Sequence, residues 1–281
     1  MRISMDRGEP TCKYDLGGRA AFVTGAAGAI GAGICRGLLD SNCKVAITDL
    51  PGERLDDLVA ELKATFSDAV IGVPMDVTDP ESVSAAVARI ASIWGGIDIA
   101  VLNAGVAHVS SLREMDINAF QRLEKINVEG TLLVLREMAG FFEKQGTGGD
   151  IVLISTKNVF APGATFGAYS ATKAASHQLA RIASLELAPI GVRVNMVAPD
   201  AVFSYGARKS GLWQEVGPGR MKARGLDEKG LEEYYRSRNL LKAKVTAEHV
   251  ANAVLFFVSH QTPTTGATIP VDGGLPDAVP R

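Results

Sequence analysis

Short apolar runs recur along the chain, and segments with helical periodicity separate most of them. Most of these runs are uninterrupted rather than alternating, which is typical of strands that are buried on both faces of a sheet. Connections from a strand through a helix to a parallel strand are almost always right-handed. The pattern therefore predicts an α/β fold, with a doubly wound, mainly seven-stranded parallel sheet of the Rossmann type and helices on both faces.

The division of the chain follows from the same pattern. No internal stretch is rich enough in proline, glycine or serine to mark a domain boundary, so we predict a single domain over residues 16–281. Residues 1–15 precede the first predicted strand and are predicted to form an N-terminal tail. The predicted strands span residues 20–24, 45–48, 70–74, 97–102, 151–155, 193–198 and 267–271. The clearest helical segments span residues 30–39, 54–66, 80–93 and 174–186.

Residues 203–244 interrupt this alternation. They are polar and charged, contain six glycines, and show their clearest helical pattern only over residues 228–238. Because long irregular connections in compact domains tend to be functional or mobile, we predict a lid or loop insertion here.

Composition excludes several classes of protein. Hydrophobic residues make up 47% and charged residues 21% of the 281 residues, which is typical of a globular chain. The net charge is -2 and no basic run is interleaved with aromatics, so we expect a small-molecule partner and no nucleic acid or membrane partner. We expect no signal peptide and no membrane span, and hence a cytoplasmic protein. Cys12, Cys35 and Cys43 lack the spacing of metal ligands, so we expect reduced thiols and no metal.

A glycine-rich turn follows the first predicted strand, in the segment TGAAGAIG at residues 24–31. Gly25 permits a tight turn, Gly28 lets a pyrophosphate approach the backbone, and Gly31 lets helix and strand pack closely. Free N–H groups at the start of the helix face the anion. The turn therefore indicates a dinucleotide site, although a glycine-rich turn without a ligand is the alternative.

Asp49 directly follows the second predicted strand, 24 residues after Gly25. A carboxylate at this place accepts hydrogen bonds from both hydroxyls of the adenosine ribose. It would also repel the 2′-phosphate of NADP, and the glycine turn contains no Arg or Lys that would offset this repulsion. We therefore expect NAD in preference to NADP; the alternative is a helix-capping or turn aspartate.

Tyr169 and Lys173 are four residues apart, so on a helix both side chains project from one face. A phenol with a pKa near 10 is a weak base at neutral pH. A nearby ammonium, together with the positive nicotinamide of an oxidised cofactor, would favour the phenolate and lower this pKa. The pair thus predicts proton transfer, against the alternative of a surface tyrosine and a solvated lysine.

Five motifs in register resemble the short-chain dehydrogenase/reductase family over about residues 16–274. They are the glycine turn, Asp76-Val77, Asn103-Ala104-Gly105, Asn127 and the segment YSATK at residues 169–173. The resemblance implies that Tyr169, Lys173, Thr156 and Asn127 are catalytic. It also implies that the cofactor is bound by Gly25, Gly28, Ile30, Gly31, Asp49, Leu50, Asp76, Val77, Asn103, Ala104, Gly105, Tyr169, Lys173, Pro199 and Val202.

The roles of the individual residues follow from this resemblance. Thr156 lies thirteen residues before the tyrosine, where the family usually has Ser, and its hydroxyl would orient the substrate. Ser155 would point to the opposite face of the strand. Asn127 would kink its helix and hold a water leading to the lysine, with a capping or core amide as the alternative. For Asn103 a structural role and a direct contact with the cofactor are equally open.

Two departures from the family pattern concern the glycine turn and the pocket. Ala29 stands where the middle glycine is usual, with Gly28 beside it, and PDAV at residues 199–202 replaces the usual Pro-Gly. Asp200 therefore adds a carboxylate near the substrate, unless it is a turn residue that bonds its own backbone. Lys157 and Asn158 form a polar pair on the rim that suits a hydroxyl-rich substrate, unless they are solvated loop residues.

Within the family, the pocket and lid residues resemble the dehydrogenase half of rhamnulose-phosphate aldolase/alcohol dehydrogenase fusions and, more loosely, sorbitol-6-phosphate 2-dehydrogenase. This resemblance implies NAD-dependent oxidation of a secondary alcohol in a sugar, polyol or sugar acid. A reductase of a non-sugar carbonyl compound and a non-catalytic NAD-binding scaffold are the alternatives. Residues 266–274 resemble the segment that joins subunits in the family, which implies a homotetramer.

Overall fold

The computed structural model describes residues 14–276. Cys12 and nearly all of the predicted tail, residues 1–13, lie outside the described residues. Seven parallel strands form one sheet in the order β3-β2-β1-β4-β5-β6-β9. These strands are β1 Ala20–Val23, β2 Lys44–Asp49, β3 Val70–Pro74, β4 Ile99–Leu102, β5 Gly149–Ile154, β6 Val192–Pro199 and β9 Thr268–Val271.

Helices connect the strands. They are α1 Ala29–Asp40, α2 Glu53–Phe66, α3 Pro80–Trp94, α4 Ile117–Leu123, α5 Gly130–Gln145, α6 Gly167–Leu187, α7 Gly211–Arg224, α8 Glu228–Arg238 and α9 Ala247–Val258. Local signals set several of these bounds; α3, for example, begins after the N-cap Asp79 with Pro80 in its first turn and ends at Gly95 in the left-handed region.

Two apolar clusters cover the two faces of the sheet. One contains buried side chains of α1, α2 and α9, and the other contains those of α3, α5 and α6. Neighbouring residues of β1 divide between them, because Ala21 and Val23 belong to the first cluster and Phe22 to the second. This single-domain, doubly wound, seven-stranded Rossmann-like fold confirms the predicted fold class. Between residues 14 and 276, no helix has the length and apolar character that a membrane span requires.

The segment predicted as a lid contains more helix than its sequence indicates. It begins with a short hairpin of β7 Ser204–Tyr205 and β8 Arg208–Lys209 and continues through α7 and α8. The pattern over residues 228–238 predicts α8 correctly, whereas α7 was missed because its interior contains Gly217, Pro218 and Gly219. Its N-cap residue, Ser210, is a local sequence signal for the start of a helix, although the glycines and the proline in the interior obscure the helical pattern.

Candidate active site

The glycine turn joins β1 to α1 and is braced by Asn103. The Asn103 side chain donates hydrogen bonds to the carbonyl oxygens of Thr24 and Gly25, at 3.0 and 2.9 Å. A Cβ on Gly25, where φ is +60°, would lie 2.8 Å from the Cα of Ala104. The turn therefore requires glycine here, and the structure gives Asn103 the bracing role that the sequence left open.

Gly28 and Gly31 serve different purposes in this turn. A Cβ on Gly31 would lie 2.6 Å from the Cα of Ala26, whereas a Cβ on Gly28 would meet only the carbonyl oxygen of Gly25, at 3.5 Å. Packing of the turn therefore requires glycine at Gly31 but not at Gly28. Gly28 leaves open space in front of the helix N-terminus, and this space fits the pyrophosphate of a dinucleotide.

Asp49 lies at the end of β2, beside the turn. Its carboxylate accepts hydrogen bonds from the backbone N–H groups of Ala27 and Leu50, at 2.9 and 2.8 Å. Arg54, in the first turn of α2, lines the same cavity. Arg54 thus places near Asp49 a cation that the glycine turn itself lacks.

A cavity of about 530 Å³ extends from the glycine turn across the carboxyl ends of the strands to the lid. The residues that line it, from the glycine turn to the lid, would suit an elongated dinucleotide with a small substrate at the far end. The predicted site residues that line it are Gly25, Gly28, Ile30, Gly31, Asp49, Leu50, Asp76, Val77, Asn103, Ala104, Gly105, Thr156, Lys157, Asn158, Tyr169, Lys173, Pro199, Asp200 and Val202. Among the described residues, no group of three or more His, Cys, Asp or Glu side chains is placed to hold a metal ion.

Tyr169 and Lys173 lie on one face of α6, and both side chains are buried. Burial raises the pKa of Tyr169 to about 12, and hydrogen bonding with Thr156 acts in the opposite direction. Burial lowers the pKa of Lys173 to about 8, and its Nζ donates to the carbonyl oxygen of Ile154 at 2.7 Å. In the protein alone, desolvation therefore raises the phenol pKa, whereas the lowering expected from the sequence involves the positive nicotinamide as well as the ammonium.

Thr156 and Ser155 point to different sides of the chain after β5. The Thr156 side chain lies close enough to the Tyr169 phenol to lower its pKa by hydrogen bonding, whereas Ser155 Oγ lies 2.9 Å from Nδ1 of the buried His177. Thr156, rather than Ser155, thus lies towards Tyr169, as its spacing in the sequence predicts. Burial is the largest cause that lowers the pKa of His177, to about 4, so this imidazole is neutral at physiological pH.

Asn127 is the one predicted site residue that does not line the cavity. It lies in a π-helical turn, Glu124–Glu129, and is fully buried. Its Oδ1 accepts from the N–H of Val106, and its Nδ2 donates to the Val106 carbonyl oxygen and to Thr172 Oγ1. These hydrogen bonds hold the loop after β4 against α6, while the role of Asn127 in a water-mediated proton route to Lys173 stays a prediction.

Lys157 and Asn158 form a short 3₁₀ turn directly after Thr156. Both are 8% exposed, so the alternative of solvated loop residues is wrong. Lys157 Nζ donates to the carbonyl oxygen of Ala161 at 2.9 Å. Since both residues also line the cavity, the pocket wall next to Thr156 is polar.

Asp200 is joined to the lid. Both of its carboxylate oxygens accept hydrogen bonds from Nη2 of Arg238 on α8, the longer at 2.7 Å. Only 5% of the Asp200 side chain is exposed. Its carboxylate therefore already has a charged partner, which neither sequence interpretation of Asp200 predicted.

Lid side chains that the sequence reasoning missed complete the far wall of the cavity. Trp213 stacks on Phe203 with ring centroids 4.5 Å apart, and Tyr235 meets both rings edge to face. Arg220 and Arg238 line the cavity beside this aromatic group. No local motif marks these residues; only the polar, glycine-rich character of the segment indicated that it would face the site.

A family model of short chain dehydrogenases matches residues 19–215. The chain therefore belongs to the short-chain dehydrogenase/reductase family, as its motifs indicate. It is 36% identical to an uncharacterized oxidoreductase, YuxG, of Bacillus subtilis over 94% of this chain, but it spans only 38% of that protein's length. It is 30% identical to the mitochondrial (-)-isopiperitenol/(-)-carveol dehydrogenase of Mentha piperita, over 92% of this chain and 94% of that one.

Solved structures give the same family and fold. The sorbitol-6-phosphate 2-dehydrogenase of Erwinia amylovora superposes with a TM-score of 0.83 at 27% identity, over 90% of this chain and 98% of that one. The relatives found by sequence also include dehydrogenases named for a sugar, a polyol phosphate and a diol. The more particular resemblance to the dehydrogenase half of the aldolase fusion stays a prediction.

Proposed function

We propose that the protein is an NAD-dependent oxidoreductase that interconverts a secondary alcohol and a ketone on a sugar-, polyol- or sugar-acid-like substrate. One observation carries the proposal: Tyr169, Thr156 and Lys173 meet in the same cavity as the glycine turn and Asp49. Polar Lys157 and Asn158 beside them favour a hydroxylated substrate. The homologous sugar and polyol dehydrogenases support the same class of substrate.

The cavity has a cofactor half, which begins at the glycine turn and Asp49, and a substrate half between Tyr169 and the lid. The glycine turn would hold the pyrophosphate, Asp49 the adenosine ribose, Lys173 the nicotinamide ribose, and the backbone of Val202 the carboxamide. A bound nicotinamide supplies hydride acceptance or donation at the substrate carbon. We favour NAD because the Asp49 carboxylate would repel a 2′-phosphate, although Arg54 in the same cavity weakens that repulsion.

The chain's own residues handle the proton. Tyr169 takes the proton of the substrate hydroxyl during oxidation and returns it to the carbonyl oxygen during reduction. Its phenolate needs positive charge nearby, because burial raises its pKa to about 12 even with Thr156 acting in the opposite direction. Thr156 stabilises that phenolate by hydrogen bonding and orients the substrate oxygen.

Spectrophotometric screening of the purified protein tests the proposal. NAD reduction is measured with a panel of sugars, polyols, sugar acids and sugar phosphates, and with carveol and steroid alcohols as non-sugar members. We expect turnover with hydroxylated substrates, and its loss by about 10²- to 10⁴-fold in Tyr169→Phe. Activity confined to the non-sugar alcohols contradicts the substrate class, and unchanged turnover in Tyr169→Phe contradicts the catalytic assignment.

A reductase of non-sugar carbonyl compounds is the second candidate. The aromatic wall formed by Phe166, Trp213 and Tyr235 favours it, because such rings bind apolar substrates well. The carveol dehydrogenase relative points in the same direction. The same screen separates the two candidates, and a non-catalytic scaffold would turn over no member of the panel.

A cytoplasmic location and a homotetrameric assembly complete the proposal. Both rest on the sequence and on the family resemblance. Light scattering coupled to size-exclusion chromatography tests the assembly, and a mass near that of one chain contradicts it.

A further inference from the structure

Arg220, on the lid helix α7, is a buried cation in the wall of the cavity. The residue is only 7% exposed and lines the cavity together with Tyr169. Its guanidinium donates to Thr165 Oγ1 at 3.1 Å, to the Tyr235 hydroxyl at 3.4 Å and to the carbonyl oxygen of Ala164 at 3.5 Å. All three acceptors are neutral, and the two longer contacts are at the outer limit of a hydrogen bond.

No carboxylate of residues 14–276 neutralises this charge. Every acidic side chain of the lid is engaged elsewhere: the partners are Arg122 for Glu215, the N–H of Gly230 for Asp227, Lys209 for Glu228, Lys244 for Glu232 and Arg236 for Glu233. The nearby carboxylate of Asp200 is paired with Arg238. An unpaired buried charge is costly, so its presence beside a cavity points to a ligand that pairs with it.

The position of Arg220 relative to the catalytic tyrosine limits where such a ligand could sit. The guanidinium carbon lies 4.8 Å from the centroid of the Phe166 ring, and that ring lies 6.0 Å from the centroid of the Tyr169 ring. Arg220 is thus one aromatic ring away from the residue that handles the substrate proton. Asp49, which is expected to bind the adenosine ribose, lies beside the glycine turn and not at the lid. A ligand of Arg220 would therefore lie on the substrate side of the cavity.

Arg238 offers a useful contrast on the same wall. Its guanidinium lies over the Tyr235 ring at 4.1 Å, just as Arg220 lies over Phe166, but its charge is balanced by Asp200. Two arginines therefore lie at the lid end of the cavity, and Asp200 pairs with only one of them. The charge in excess belongs to Arg220.

We propose that Arg220 binds an anionic group of the substrate, a phosphate or a carboxylate, at the lid end of the cavity. The planar guanidinium can present two parallel donors to either anion, which fixes the orientation of the substrate as well as its affinity. This inference rests on the proposed function, since it assigns the substrate class of the same site. It restricts that class to acids or phosphates of hydroxylated compounds.

Arg220→Met tests the proposal, with Arg224→Met as the matched control on the same helix. Arg224 lies over the Tyr234 ring and does not line the cavity. We compare kcat/KM for sorbitol 6-phosphate, gluconate and uncharged sorbitol. We expect Arg220→Met to lower the values for whichever anionic substrate is used by roughly 10- to 100-fold, and that for sorbitol by less than about threefold. Equal losses on charged and uncharged substrates overturn the proposal and indicate a purely structural arginine.

Binding separates this proposal from the proposed function. Calorimetric titration with inorganic phosphate and with acetate, at saturating NAD, requires no turnover. We expect binding of at least one anion by the wild-type protein and by Arg224→Met, with a loss of about tenfold or more in Arg220→Met. Anion binding that Arg220→Met leaves unchanged overturns the proposal, and so does the absence of anion binding to the wild type. If anions bind through Arg220 but no substrate is oxidised, the proposed function alone fails.

Discussion

The carboxylate of Asp49 accepts a hydrogen bond of 2.9 Å from the backbone N–H of Ala27. The residue expected to bind the adenosine ribose therefore also fixes the conformation of the glycine turn. A substitution that removes the whole carboxylate would disturb both functions at once. Tests of cofactor choice should accordingly keep an acceptor at this position.

Asp49→Asn meets that requirement, because its amide oxygen can still accept from Ala27 while the negative charge is lost. We expect the ratio of kcat/KM for NADP to that for NAD to rise by at least about tenfold, since the repulsion of the 2′-phosphate is removed. The double variant Asp49→Asn/Arg54→Met tests the contribution of Arg54, and we expect part of the gain to disappear. An unchanged ratio in Asp49→Asn would show that Asp49 does not select the cofactor.

Gly28→Ala and Gly31→Ala form a matched pair in one turn. The Cβ added by Gly31→Ala would press on backbone atoms at 2.6 Å, so we expect a loss of about 1–3 kcal/mol in the free energy of unfolding. The Cβ added by Gly28→Ala would meet nothing closer than 3.5 Å, so stability should be nearly unchanged while NAD binding weakens. Urea denaturation and calorimetry measure the two effects. Gly28→Ala with wild-type affinity for NAD would contradict the assignment of the pyrophosphate site.

Thr156→Val changes the pH dependence of the reaction. Hydrogen bonding with Thr156 lowers the pKa of Tyr169, so its removal raises that pKa. Oxidation requires the unprotonated tyrosine, and the rise of kcat/KM with pH should therefore move to higher pH. At a fixed pH below the new pKa, the rate falls by roughly tenfold or more.

Thr156→Ser is the control for this change, because it keeps the hydroxyl and removes only the methyl group. We expect its pH profile to match that of the wild type. If the valine variant shows the wild-type profile with a lower plateau, then Thr156 orients the substrate without affecting the tyrosine.

Asp200→Asn weakens the attachment of the lid. It leaves the partly buried Arg238 without its charged partner, so we expect a loss of about 3 kcal/mol in the free energy of unfolding. The double variant Asp200→Asn/Arg238→Met removes the orphaned charge as well and should recover part of this loss. Chemical denaturation of the four proteins measures the coupling, and additive losses would mean that the pair does not contribute as a unit.

The sheet and its connections could be predicted because buried parallel strands and amphipathic helices leave periodic patterns in the sequence. The clear helical pattern at residues 174–186 covers only part of α6, which begins at Gly167, because glycine, serine and threonine weaken the helical signal of its first turns. Tyr169 and Lys173 were nevertheless recognisable, since their spacing along one helix places them on one face.

The lid end of the site could not be predicted in the same way. Arg238 reaches Asp200, 38 residues earlier, and Arg220 reaches Thr165, 55 residues earlier. Such pairs depend on how α7 and α8 fold back over the sheet, and nothing in the local sequence specifies that packing. The hydrogen-bond partners of Asn127 could not be predicted for a related reason, because they come from the loop after β4 and from α6.

The aromatic group of the lid gives the protein an intrinsic optical reporter. Of the two tryptophans in the sequence, Trp213 lies against Phe203 and Tyr235 at the cavity, whereas Trp94 lies at the end of α3, packed against the cluster on one face of the sheet. In a Trp94→Phe background, the emission of Trp213 follows the polarity around the lid alone. Ligand entry can therefore be timed by stopped-flow fluorescence without any attached dye.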